Sequence, residues 1–170
     1  MKKYLIILLL IIAISCSGDE ENLEPTDINL VTGIDIKAFE EVMPTRLGNP
    51  NTFNHDQFSI FPNPVKTFLR IKSMGNMTDI WVLPGKSSNS YKGTDFQQLL
   101  SSDLYSENTI ADQSVLKLVE LDWSEFALNI ESLNPGYYKV FIKINGNIFW
   151  DNFYVSNDNF ELKNLINYWK

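Results

Sequence analysis

An Asn-Gly dipeptide between two β-type segments is the feature that constrains this chain most. Asn145-Gly146 divides residues 137–155, which read YYKVFIKINGNIFWDNFYV. A two-residue type I′ turn needs positive φ at both central positions, and Asn and Gly accept it at low cost, so the stretch predicts a β-hairpin. Such a turn also fixes the register, with Ile144 opposite Asn147, and assigns every side chain to one of two faces.

One face of the predicted hairpin is almost entirely apolar, and we expect it to face the core. It carries Tyr138, Val140, Ile142, Ile144, Phe149, Phe153 and Val155. Asp151 falls on the same face. Because a buried carboxylate needs partners, we expect Asp151 either at the rim of the sheet or hydrogen-bonded to backbone.

The opposite face combines aromatic rings with polar side chains and is the candidate binding face. Its rings form two cross-strand pairs, Phe141 with Trp150 and Tyr137 with Tyr154. Two hypotheses stay open. Another element of the fold could pack over the rings and turn them into core. Alternatively, the rings could be exposed and bind a ligand, since large exposed aromatic patches usually bind something.

Composition and charge exclude several functional classes. The chain has 170 residues, of which 44% are hydrophobic and 13% aromatic, as in folded globular proteins. Its formal net charge is −7 and it has no block of Lys or Arg, which argues against nucleic acid as a partner. A lone cysteine allows no intrachain disulfide. A zinc site or a Ser-His-Asp triad would have to rest on the single histidine, His55, which we interpret as a surface residue.

Motifs of the common catalytic sites are absent from the sequence. The chain contains no Gly-rich phosphate loop and no HExxH, CxxC or Gly-x-Ser-x-Gly pattern. Acidic and amide residues cluster between 151 and 159 without the spacing of a calcium loop, so caps and turns explain them better. We therefore expect no catalytic residue, no metal site and no cofactor.

The N terminus has the pattern of a lipoprotein signal. Residues 1–16, MKKYLIILLLIIAISC, combine two lysines, a short apolar segment and small residues before Cys16. The apolar segment is shorter than the roughly 20 residues of a transmembrane helix. The pattern resembles the lipobox of bacterial lipoproteins, which implies removal of residues 1–15, acylation of Cys16 with fatty acids such as palmitate, and a flexible tether over 16–27. The alternative is an uncleaved N-terminal anchor with an incidental cysteine.

The residues after Cys16 bear on the location of the anchor. The acidic run Asp19-Glu20-Glu21 resembles the signal that exports lipoproteins of the Bacteroidota to the outer leaflet of the outer membrane. The resemblance implies an outer-membrane lipoprotein at the cell surface. The alternative is that the run is a polar spacer and that the protein faces the periplasm.

The middle of the chain carries a second family resemblance. Phe61-Pro62-Asn63-Pro64 precedes the strand pattern Leu69-Arg70-Ile71, and residues 133–140 read LNPGYYKV. Both motifs resemble the C-terminal sorting domain of the Bacteroidota type IX secretion system. The resemblance implies a mainly β fold, an immunoglobulin-like antiparallel β-sandwich, over 57–156. Because a lipid anchor already provides an export route, it indicates the fold and not a sorting role.

Shorter patterns complete the expected organisation. Residues 28–56 are interpreted as an N-terminal extension with one strand-like stretch and a loop over 43–56, and further strands are predicted at 78–83, 115–122 and 126–130. A capping box at 94–97 predicts a short inserted helix near 95–104.

The tail, residues 157–170, is predicted to end the chain as an amphipathic helix. Asp158 and Glu161 have the spacing of a capping box, and an apolar stripe follows at Leu162, Leu165, Ile166 and Trp169. A helix of this length is marginal in water by itself. We expect it to dock on the aromatic face of the hairpin, and the alternative is that it binds a partner.

Together these patterns favour a membrane-anchored, non-catalytic binding module for a protein or a glycan. A structural or accessory subunit of an outer-membrane secretion or gliding assembly is the alternative. A hydrolase would need convergent titratable side chains in a pocket, and no motif supplies them. The expected partners are the outer membrane, through the lipid at Cys16, and a protein or glycan ligand.

Overall fold

The computed structural model describes residues 23–170, which form a mainly β structure with three helices. The strands are β1 Leu30–Val31, β2 Gly33–Ile36, β3 Thr45–Gly48, β4 Phe58–Phe61, β5 Phe68–Pro84, β6 Lys86–Ser87, β7 Leu116–Leu118, β8 Trp123–Asn129, β9 Gly136–Ile144 and β10 Asn147–Val155. The helices are α1 Phe96–Leu99, α2 Glu107–Gln113 and α3 Leu162–Trp169. No helix in the described part of the chain is long and apolar enough to cross a membrane.

The predicted hairpin is confirmed, and its register is the one expected from the two-residue turn. Strands β9 and β10 pair antiparallel, with Asn147 opposite Ile144 and Phe153 opposite Tyr138. Asn145 and Gly146 have φ values of 51° and 81°, as a type I′ turn requires. The local sequence therefore determines this part of the fold.

The long strand β5 organises the largest sheet, which has six strands. The first half of β5 pairs with β4 and β8, and its second half pairs with β9 and β7. All these pairs are antiparallel. The sequence pattern predicted two separate strands here, at 68–71 and 78–83, whereas the chain runs through as one strand.

Strand β5 must bend back on itself, because a short connection joins β8, which pairs with its first half, to β9, which pairs with its second half. Strand β8 ends at Asn129 opposite Phe68, and β9 pairs its Tyr138 with Pro84. The connection from β8 to β9 reaches at most about 25 Å, whereas a straight strand of this length would span about 55 Å. The pairing of β5 is irregular between Lys72 and Met77, and the sheet closes into a curled half-barrel.

The principal core lies inside this curl and includes the predicted core face of the hairpin. Leu69 and Ile71 from the first half of β5 pack in the same cluster as Ile80 and Val82 from the second half. The hairpin contributes buried Tyr138, Val140, Ile142, Ile144, Phe153 and Val155, and partly buried Phe149. The alternation of side chains thus predicted the inner face correctly.

The N-terminal extension is more ordered than its sequence indicated. The predicted loop over 43–56 contains strand β3, which pairs antiparallel with β2, so that part of the prediction is wrong. Strand β1 pairs in parallel with β6. Residues 24–27, predicted to belong to a flexible tether, are held to the domain, since the Tyr105 hydroxyl donates to the Thr26 carbonyl at 2.9 Å.

The helices differ from their predicted bounds and caps. The helix expected near 95–104 is formed only over α1. Its N-cap is Asp95, whose carboxylate accepts from the backbone amide of Gln97 at 3.1 Å. α2 was not predicted at all. α3 is confirmed, but its capping box is wrong, because Glu161 makes no side-chain cap hydrogen bond and Asp158 forms an ion pair with Lys66.

Two of the other predicted strands also differ in their bounds. The strand expected at 115–122 is formed only over β7, and the strand expected at 126–130 begins earlier, as β8. Both strands pair with β5 alone, so the partner strand, and not the local pattern, sets where each one begins and ends.

Candidate functional site

The centre of the predicted binding face lies in the interior. Phe141 and Trp150 are 0% exposed. The Tyr105 ring packs edge-on against both, with centroid distances of 5.8 Å to Phe141 and 5.2 Å to Trp150. The Trp150 indole nitrogen donates to the Asn51 carbonyl at 3.0 Å. The hypothesis of an exposed face is therefore wrong for these two residues, and the hypothesis of a covering element is correct.

The cover comes from the connection between β6 and β7, which contains α1 and α2. Its buried members are Phe96, Leu100, Tyr105 and Ile110, which pack in one cluster with Trp81, Leu83, Phe141, Ile148 and Trp150. The tail helix was expected to dock on this aromatic face, and it does so only at the other pair, where the Trp169 ring lies 5.5 Å from Tyr137 and where Tyr154 packs against the same cluster. The second core cluster therefore covers the part of the outer face that carries Phe141, Ile148 and Trp150.

The other predicted pair, Tyr137 and Tyr154, remains half-buried and borders a groove beside α3. We call this the α3 groove. Its volume is about 370 Å³. The lining residues are Tyr137, Tyr154, Asn157, Asn159, Phe160, Glu161, Asn164, Leu165 and Tyr168. The structure thus brings two of the four predicted site residues together with residues of the tail that had not been assigned to a site.

The buried side chains of α3 pack against the N-terminal extension. Leu165 and Trp169 pack with Val31 and Ile34. Gly48, with a φ of 70°, lets the backbone of β3 approach closely, since a Cβ there would lie 2.7 Å from the Trp169 ring. The extension therefore supports α3, whose residues Asn164, Leu165 and Tyr168 line the groove.

Aromatic rings form a continuous surface along the groove. The Tyr137 and Tyr154 rings are 4.9 Å apart edge-to-face, and Phe160 continues the row 5.4 Å from Tyr154. Tyr168 lies 6.1 Å from Tyr137 and is 39% exposed. Burial raises the pKa of Tyr137, so its hydroxyl stays protonated and neutral at physiological pH.

Amide side chains and one carboxylate supply the polar part of the groove. The Asn157 carbonyl oxygen Oδ1 accepts from the backbone amide of Asn159, and Asn164 donates to Glu161 at 3.4 Å. Within residues 23–170, the Asn157 Nδ2 group and the side-chain amide of Asn159 make no hydrogen bond. These groups are free to pair with a ligand that carries hydroxyls or amides.

A second cleft of about 370 Å³ lies between residues 46–55 and 94–97. Arg46 and Asn49 in its lining are already used by the protein, whereas the side chains of Thr52, Thr94 and Gln97 make no hydrogen bond within residues 23–170. Arg46 donates from two nitrogens to Asp35, at 3.0 Å each, and Asn49 donates to two backbone carbonyls at 2.8 Å. His55 is exposed and packs edge-on against Phe53, which confirms that it is a surface residue. This cleft lacks the tyrosine rings that line the α3 groove.

Two ionisable side chains of the hairpin, Asp151 and Lys139, are buried. Asp151 accepts from the Asn152 backbone amide at 2.7 Å and from Asn54 at 3.2 Å, so the expected hydrogen bond to backbone is confirmed. Burial raises its pKa to about 7. Lys139 is 0% exposed, its Nζ has no hydrogen-bond partner among residues 23–170, and burial lowers its pKa to about 7. Neither group borders the α3 groove.

Other predicted site features lie outside the described residues or have no structural counterpart. Cys16 and the run Asp19-Glu20-Glu21 lie outside residues 23–170. Within 23–170, no group of three or more His, Cys, Asp or Glu side chains is placed to hold a metal ion. Comparisons with protein-family models, with curated proteins and with solved structures found no match to this chain. The two family resemblances therefore remain predictions.

Proposed function

We propose that this chain is an outer-membrane lipoprotein, anchored through Cys16 and exposed at the cell surface, that binds a glycan non-catalytically in the α3 groove. The observation that carries the proposal is the row of tyrosine and phenylalanine rings beside amide groups with unused hydrogen-bonding capacity. The acidic run after Cys16 supports export to the surface.

The chemistry of the groove suits a sugar better than a flat protein surface. A pyranose ring has an apolar C–H face, which packs against aromatic rings, and an edge of hydroxyls, which pair with amides. The groove volume of about 370 Å³ falls within the range of roughly 300–1,000 Å³ that is common for small-molecule sites. It would hold a short segment or the end of a glycan chain.

We also interpret the domain over 57–156 as an immunoglobulin-like β-sandwich. The Tyr138 hydroxyl donates to the Asn134 carbonyl at 2.9 Å, at the start of β9. This bond resembles the tyrosine corner of immunoglobulin-like folds, in which a tyrosine hydroxyl bonds to backbone a few residues upstream. The single core shared by both halves of β5 is a further supporting feature.

Binding is tested with the full-length lipoprotein in detergent on an array of immobilised glycans. Tyr168→Ala removes the most exposed ring of the groove, and Trp123→Ala removes a ring on β8 that is 59% exposed and lies outside the groove. We expect retention of at least one glycan by the native protein and by Trp123→Ala, and a loss of tenfold or so in Tyr168→Ala, as one stacking contact predicts. Equal retention by the native protein and Tyr168→Ala would exclude the groove as the site.

Surface exposure is tested separately, by protease treatment of intact cells. We expect cleavage of the native protein and protection of a variant in which Asp19, Glu20 and Glu21 are replaced by alanine. Protection of both proteins would place the domain in the periplasm. Such a result, combined with stable co-purification with an outer-membrane complex and no glycan retention, would favour the accessory-subunit alternative.

A further inference from the structure

We infer that the α3 groove selects an uncharged glycan and discriminates against glycans that carry carboxylate, sulfate or phosphate groups. The inference rests on the proposed glycan-binding function and adds the chemical class of the ligand.

Within residues 23–170, no cationic side chain lines the groove. Of its nine lining residues, Glu161 is the one carboxylate, since the others are tyrosine, asparagine, phenylalanine and leucine. Proteins that bind anionic groups use Arg or Lys for this purpose, because charge-assisted hydrogen bonds repay the loss of hydration. The α3 groove has no such group to offer to an anionic sugar.

The carboxylate of Glu161 lies at the N-terminal end of α3, which is the positive end of the helix dipole. Backbone amides at the start of a helix attract anions, and α3 begins beside the groove at Leu162. Glu161 occupies the N-cap position without a side-chain cap hydrogen bond, and its carboxylate accepts from the Asn164 side-chain nitrogen Nδ2 at 3.4 Å and lies 3.1 Å from Lys163 Nζ. An anionic ligand near this end of α3 would therefore meet the Glu161 carboxylate.

The lysines Lys163 and Lys66 do not make the groove favourable for an anionic ligand. Lys163 is paired with Glu161 and Lys66 is paired with Asp158, so each of these two lysines is balanced by a carboxylate. The chain as a whole carries a net charge of −7. An uncharged glycan avoids this repulsion and can use the amides of Asn157 and Asn159, which donate to and accept from hydroxyls equally well.

The test uses the full-length lipoprotein in detergent and an array with two halves. The neutral half carries mannan, xylan, β-glucan and chitin oligosaccharides, and the anionic half carries polygalacturonate, alginate, heparin and chondroitin sulfate. Methyl-esterified polygalacturonate is added as the uncharged partner of the same backbone. We expect the strongest retention on a neutral glycan, with binding that changes little between low and high salt.

Glu161→Gln tests the assigned cause. Removing this carboxylate takes a negative charge from the groove and frees Lys163 from its ion pair, so it should raise the ratio of anionic to neutral retention by about threefold or more. Glu107→Gln is the matched control, because Glu107 pairs with Lys143 away from the groove, and it should leave the ratio unchanged. Far-UV circular dichroism verifies that α3 persists in both variants.

The outcomes separate the inference from the function on which it rests. If an anionic glycan is retained most strongly and Tyr168→Ala abolishes its retention, the inference is overturned while the glycan-binding function stands. If Glu161→Gln leaves the ratio unchanged, the assignment to Glu161 is overturned. If neither half of the array retains the protein, the proposed function fails, and the inference fails with it.

Discussion

Replacing Lys139 with methionine should stabilise this protein, although the substitution lies in its interior. Lys139 is fully buried on β9, and its Nζ has no hydrogen-bond partner in the part of the chain that the structure describes. A buried ammonium without a partner is costly, so burial lowers the pKa of Lys139 from 10.5 to about 7. Methionine has a similar length and shape and carries no charge, which makes Lys139→Met the appropriate perturbation.

The size and sign of the effect follow from the change in pKa. Each pKa unit corresponds to about 1.4 kcal/mol, so a shift from 10.5 to about 7 corresponds to a penalty of up to about 5 kcal/mol below pH 7. Because the pKa is lower in the folded state, the unfolded state binds more protons between pH 7 and 10.5. The free energy of unfolding of the native protein should therefore rise with pH across this window.

Urea denaturation of the native protein and of Lys139→Met between pH 6 and pH 10.5 measures this effect. We expect the variant to be more stable by several kcal/mol at pH 6, with a difference that shrinks to less than about 1 kcal/mol near pH 10.5. Lys143→Met is the matched control on the same strand, because Lys143 forms an ion pair with Glu107 at the surface. It should change stability by no more than about 1 kcal/mol and keep the native pH dependence.

Two results would refute this reasoning. A lower stability of Lys139→Met than of the native protein at pH 6 would mean that the ammonium is paired in the folded state. An identical pH dependence of the two proteins between pH 7 and 10.5 would mean that Lys139 titrates with an ordinary pKa. Either result would contradict the burial of an unpartnered Nζ.

Three further predictions address the buried carboxylate, the tail helix and the anchor. Asp151 has a pKa raised to about 7 by burial, above its unfolded value, so native stability should fall as pH rises from about 4 to 7, and urea denaturation of Asp151→Asn should show no such fall. Trp169→Ala removes the main contact of α3 and should cost about 3–5 kcal/mol in denaturant unfolding, with loss of glycan retention. Cys16→Ser should abolish labelling by an alkyne-tagged fatty acid and release the protein from the membrane fraction; continued labelling would contradict acylation of Cys16.

Local signals allowed much of the hairpin to be predicted. The Asn145-Gly146 turn fixes the register, and the alternation of side chains separates the inner face from the outer face. Both features depend on residues that are near in sequence, so the pattern suffices. The burial of Asp151 against backbone was predictable for the same reason, because its face is set by the register.

Features that depend on distant contacts were not predictable. Gly75 and Asn76 have the composition of a turn, yet they lie inside β5, because β4, β8, β9 and β7 pair along its length. α2 has one buried apolar residue, Ile110, so its sequence shows no helical period. β3 is short and mostly exposed, so it lacks the alternation by which strands are recognised.

The position of the candidate site follows from how completely the outer face of the hairpin is covered. The sequence identified that face correctly, since Tyr137, Phe141, Trp150 and Tyr154 do form cross-strand pairs on it. The sequence could not indicate which pair would be covered. The side chains that cover Phe141 and Trp150 lie between residues 96 and 110, and their packing depends on contacts between residues distant in sequence. The tail helix spans only eight residues, so it seats Leu165 and Trp169 and leaves a gap beside the second pair. A groove lined by tyrosines therefore arises where the cover ends, and this is where binding should be tested.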